Sequence, residues 1–167
     1  MDSSSVISRL LSAPMRPGLV TWIGVRPVRR EPLNVVDSVL LDPDFGTDGD
    51  HYHSRTTRKR QVTLIQAEHL AAVASILGVA TVAPEEIRRN IVTTGINLRA
   101  LKDRRFSLGE AVLEMTGECH PCSRMETIFG PGGYNAVRGH GGITARVVSG
   151  GVVRLGDAIA RLDEVEA

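Results

Sequence analysis

"GITARVVSGGVVRLGDAIARL", residues 142–162, decides the fold class. Short runs of β-branched and aliphatic residues are cut by two glycine turns, SGG at 149–151 and LGD at 155–157. That punctuation predicts two or three short strands rather than a helix. Upstream, FSLGEAVLEMTG (106–117) alternates like a hairpin or bent strand, and GLVTWIGVRPV (18–28), VVDSVLLD (35–42), QVTLI (61–65) and NIVTTG (90–95) have strand composition. Helical signals are fewer. QAEHLAAVASILG (66–78) places Leu70, Val73 and Leu77 on one face and stops at Gly78. APEEIRRN (83–90) enters one or two turns through Pro84, and PCSRMETIFG (121–130) reads as a short helix ending at Gly130 and Pro131. Many strands with one main helix predict a mainly β chain: a small closed β-barrel with a few peripheral α-helices. Strands and helices do not alternate regularly, which argues against a parallel α/β sheet.

The 167 residues suit one domain with a real core. We expect an N-terminal arm over 1–17, where Val6, Ile7, Leu10 and Leu11 could make an amphipathic turn or two, and a single domain over 18–163. A net charge of +1 and only 4% aromatic residues argue against a nucleic-acid partner. No apolar run is long enough to span a membrane, and the N-terminus lacks the apolar core of a signal peptide. A cytoplasmic location is the expectation, with both cysteines reduced. Lys59 and Lys102 are the only lysines. Arginine dominates the cations, and its planar fork suits phosphate and carboxylate.

Four segments could carry chemistry. TGECHPCSRME (116–126) holds Cys119 and Cys122, with His120 and Arg124 beside them. The pair reads as a thiol–disulfide couple, part of a metal site, or one reactive thiol in electropositive surroundings. EEIRRNIVTTGINL (85–98) gathers Arg88, Arg89, Asn90, Thr93, Thr94 and Asn97, groups suited to an anionic, heteroatom-rich ligand. DGDHYHSRTTRKRQVTLI (48–65) sets Arg55, Arg58, Lys59 and Arg60 after Asp48, Asp50, His51 and His53. The basic cluster suits a phosphate or a solvated surface. The acidic and histidine residues fit no familiar metal spacing and read as loop-ordering groups. RGHGGITARV (138–147) offers Gly139, Gly141 and Gly142 for close backbone approach or an anion nest. The phosphate-loop and dinucleotide glycine motifs are absent.

Taken in order, GDHYH…RQVTLI…EHL, IRRNIVTTGINL, GxxxLEMTGxCxPCSRME and GHGGITARVVSGGVVRLGD resemble a stand-alone bacterial MOSC domain over about residues 19–160. That family is named after the C-terminal domain of molybdenum cofactor sulfurases. The resemblance implies a pyruvate-kinase-barrel-like fold and binding of the molybdenum cofactor, a pterin dithiolene carrying molybdenum and a phosphate. It places the family's invariant cysteine on Cys122, as catalytic thiol and metal ligand, and leaves Cys119 as a dispensable companion. It places the family's arginine and asparagine on Arg88 and Asn90, with Arg58 and Arg60 in the cofactor-phosphate region. Thr93, Asn97, Gly141 and Gly142 complete the expected cofactor-binding set, and His120 or His140 would supply a proton.

The expected activity is molybdenum-dependent reduction of N-hydroxylated small molecules. A separate protein would donate the electrons, because the chain has no ferredoxin-type cysteines and no flavin fingerprint. The alternative is a sulfur carrier or cofactor-delivery module, with a persulfide on Cys122 donated by a separate desulfurase. Pyridoxal phosphate is not expected in this chain. A CxxC thiol–disulfide oxidoreductase is the third reading. The sequence leaves room for a homodimer.

Overall fold

The glycine-punctuated strands close on themselves in the computed structural model, which describes residues 5–53 and 56–163. The strands are β1 (Gly18–Val25), β2 (Asn34–Val35), β3 (Ser38–Asp42), β4 (Gly46–Thr47), β5 (Val62–Gln66), β6 (Ile91–Thr94), β7 (Arg105–Leu108), β8 (Ala111–Glu118), β9 (Ile143–Ser149), β10 (Gly151–Arg154) and β11 (Ala158–Arg161). Helices are α1 (Val6–Ser12), α2 (Ala67–Leu77), α3 (Pro84–Ile87), α4 (Arg124–Phe129) and α5 (Gly133–Val137), with a 3-10 turn over Leu98–Leu101. Seven strands form a closed barrel in the order β1-β11-β7-β8-β9-β5-β6, with β6 returning to β1. Neighbours run antiparallel except β5 and β6, which are parallel and joined by α2 and α3. A small sheet, β10-β3-β4, adds Val39, Leu41 and Val153 to the barrel core.

Alternation along the strands separates two apolar layers. Leu64 and Ile91 point into the barrel with Phe106, Leu113 and Ile143. Their neighbours Ile65 and Val92 face outward, against Val73 of α2 and Ala136 and Val137 of α5. Burial on both faces explains why QVTLI and NIVTTG read as continuous apolar runs. Helix α2 buries Leu70, Val73 and Ala74, holds Leu77 half-buried, and ends at Gly78 in the left-handed region, φ 71°.

Two short elements were not expected from the sequence, the 3-10 turn and α5. Each depends on a tertiary partner. The Gln66 Oε1 accepts from the Leu98 amide that opens the turn, and the Glu126 carboxylate accepts from the Gly132 and Tyr134 amides at the start of α5. VVDSVLLD divides into β2 and β3, because Val35 pairs with Gly24 of β1 while Ser38 pairs with Arg154 of β10. Among the described residues, no helix is long and apolar enough to cross a membrane.

Candidate functional site

Arg26 follows β1 directly and is buried at 7% exposure, although the sequence gives it little prominence. Burial lowers the pKa of its guanidinium; Asp50 opposes that effect and nearby Arg124 adds to it. Its Nε is shielded from solvent and has no hydrogen-bond partner among the described residues. A shielded N–H without a partner is costly unless a ligand's acceptor meets it. Arg26 lines a solvent-open cleft of about 240 Å³ together with Asp50, Arg60, Arg88, Arg89, Asn90 and Cys119, among others. Four arginines and one carboxylate therefore line the cleft.

That carboxylate is already engaged. Asp50 Oδ2 accepts from the Arg26 amide at 3.2 Å and from Asn90 Nδ2 at 2.8 Å, and Oδ1 accepts from the Tyr52 amide at 3.0 Å. His51 Nδ1 lies 3.0 Å from the Arg26 carbonyl, and His53 Nδ1 lies 3.0 Å from the Phe45 carbonyl. These groups order the 50–53 segment. Among the described residues, no three His, Cys, Asp or Glu side chains group as metal ligands. Arg55 lies outside the described residues.

Asn90 is equally occupied. Its Oδ1 accepts from the Thr63 amide and hydroxyl, and its Nδ2 donates to the Gly24 carbonyl as well as to Asp50. It ties β1, β5 and the Asp50 loop together at the cleft floor. Arg88 caps α3 in the left-handed region, φ 66°, where a non-glycine residue is strained, and so reaches the cleft wall.

Sequence reasoning missed the role of Arg89. The side chain is buried; Nε donates to the Gly141 carbonyl at 2.7 Å, Nη1 to Ile87 at 2.7 Å and Nη2 to Cys119 at 3.5 Å. Burial lowers its pKa most strongly, and the Cys119 and Cys122 sulfurs act against this. One guanidinium thus joins the α3 end, the glycine segment and the cysteine turn.

The two cysteines stand in different surroundings. Cys119 is buried at 3% exposure, and Arg60 Nη2 approaches its Sγ at 3.7 Å. Cys122 is exposed, one residue before the Ser123 cap of α4. Both thiols are free.

The remaining expected residues scatter. Arg58 pairs with Asp44 at 3.1 Å on the surface. Thr93, three residues beyond Asn90, is fully buried in β6, and its hydroxyl has no partner among the described residues. Asn97 is exposed and caps the 3-10 turn through the Arg99 amide. Gly141 and Gly142 serve close approach. A Cβ on Gly141 would lie 2.2 Å from the Cys119 carbonyl oxygen, and one on Gly142 would lie 2.0 Å from that of Leu64. His120 is exposed and borders a smaller cavity shared with His69, Glu118 and Cys119. His140 stacks edge-on against His69 at 5.0 Å.

Residues 48–160 match the family model for the MOSC domain. No curated protein matches the chain. Among solved structures, the YUAD protein from Bacillus subtilis superposes with a TM-score of 0.75 at 20% identity, covering 86% of this chain and 94% of that one. YiiM from Escherichia coli gives 0.68 at 19% identity, covering 91% and 72%. YiiM from Geobacillus stearothermophilus gives 0.69 at 15% identity, covering 87% and 75%. At these identities the structures are evidence for the fold alone.

Proposed function

The chain belongs to the MOSC domain family, a family associated with molybdenum cofactor binding or sulfuration, and on that premise we propose that its arginine cleft holds the molybdenum cofactor. The orphaned, buried Nε of Arg26 carries the reading. The donor set fits the group: Arg26, Arg60 and Arg88 suit a phosphate, and the cleft volume suits a ligand larger than an inorganic ion. When bound, the cofactor would supply a molybdenum centre able to pass two electrons to the N–O bond of an N-hydroxylated small molecule. Cys122, exposed and reachable, would offer a soft thiolate to that metal. Arg89 and Asn90 would hold the cleft walls in register. The electrons would come from a separate donor protein.

The test is purification from a molybdenum-replete host, with metal analysis and fluorescence of the oxidised pterin. Molybdenum near one equivalent that is lost in Cys122→Ala and kept in Cys119→Ala supports the reading. Molybdenum unaffected by Cys122→Ala would remove Cys122 as ligand.

A second reading is sulfur transfer, favoured by one observation: the cysteine sulfur placed against an arginine of the cleft is Cys119, while Cys122 faces solvent. Cys122 would then accept sulfur from a persulfide donor, such as a desulfurase.

A further inference from the structure

Cys119 is a free, buried thiol on the same turn as the exposed Cys122. We propose that the pair forms a sulfur relay, in which exposed Cys122 takes up a sulfane sulfur and buried Cys119 receives it at the cleft; this rests on the sulfur-transfer reading. Four observations support the order. Cys122 is exposed, so a donor can reach it, whereas Cys119 is 3% exposed. Cys119 lines the arginine cleft. Its sulfur lies 3.7 Å from Arg60 Nη2, and both cysteines act electrostatically on buried Arg89. Its backbone is fixed at both polar groups, with the amide donating to the Gly142 carbonyl at 2.8 Å and the carbonyl accepting from Arg89.

The step balances without an added oxidant or reductant. The Cys119 thiolate attacks the terminal sulfur of the Cys122 persulfide. A new sulfur–sulfur bond forms on Cys119, the old one breaks, and Cys122 leaves as a thiolate. The proton that Cys119 gives up is matched by the one Cys122 takes from solvent. The transferred sulfur keeps its oxidation state. A persulfide anion on Cys119 would sit against guanidinium, which favours transfer inward.

The experiment uses the reduced full chain and a pulse of inorganic polysulfide, followed by alkylation and fragmentation mass spectrometry. In the wild type the added sulfur should appear first on Cys122 and then on Cys119. In Cys119→Ser it should stay on Cys122. In Cys122→Ser, loading of Cys119 should be at least about tenfold slower, because burial restricts access. Arg60→Met should load Cys122 normally and slow the transfer at least about tenfold, an effect that loss of a merely structural contact would not produce. Thermal melts of each variant report on folding. Sulfur that stays on Cys122 in the folded wild type overturns the relay while leaving the carrier reading intact. So does a Cys119–Cys122 disulfide with release of one sulfide, which marks attack on the inner sulfur. Sulfur on neither cysteine overturns both.

Discussion

Two buried arginines, Arg26 and Arg89, separate binding from architecture at the scale of single residues. Arg89 donates to three carbonyls on three segments, so its removal strands those acceptors in the interior. Arg89→Met should cost about 2–3 kcal/mol by urea unfolding, an unsatisfied-acceptor effect. Arg26 has a buried Nε without a partner among the described residues. Arg26→Met keeps the apolar stem and removes a desolvated charge, so the midpoint should stay level or rise. Equal losses in both variants would contradict this division. The sequence presented Arg88 and Arg89 as one basic pair. Only the left-handed turn at Arg88 sends one guanidinium to the cleft wall and the next into the interior. Arg26 was harder to see, because one arginine after an apolar strand carries no signal of burial.

Glycines and side-chain caps position the site at the scale of elements. Gly142 sits at φ 84°, and a Cβ there would press on the Leu64 carbonyl of β5. Gly142→Ala should destabilise the fold by about 3 kcal/mol or more, through both strain and overlap, as read by urea unfolding. The same change should loosen the turn around Cys119, whose amide donates to the Gly142 carbonyl. Glu68 of α2 accepts from the Gly95 amide at 2.7 Å and the Thr94 hydroxyl at 3.1 Å. Partial burial raises its pKa, but these hydrogen bonds together hold it below its ordinary value of 4.5. Because the folded value is depressed, the stabilisation is complete above the unfolded pKa and disappears as pH falls through the folded one. The wild-type melting temperature should therefore fall more steeply than that of Glu68→Gln between about pH 6 and pH 3. Parallel slopes would contradict it. Glycine turns and apolar runs made the barrel strands legible, since those signals are local. The 3-10 turn and α5 were not, since Gln66 and Glu126 cap them from other parts of the chain.

Across the whole molecule, barrel closure brings segments far apart in sequence to one cleft: the end of β1, the 50–52 segment with Arg60, the α3–β6 turn and the cysteine turn. The order of motifs made the family and the β-barrel legible. It did not show which members of each motif would meet. Thr93 entered the barrel and Asn97 capped the adjoining 3-10 turn, because strand alternation and a local amide decided their directions. The central claim is that the arginine cleft holds an anionic molybdenum cofactor, and Arg26 tests it most directly. Wild type and Arg26→Met should be purified in parallel from a molybdenum-replete host and analysed for molybdenum and oxidised pterin. The account predicts near-equimolar molybdenum and pterin in the wild type and at least about tenfold less in the folded variant, as expected for loss of a buried charged contact. A wild type without pterin, or a variant that retains the full complement, would contradict it.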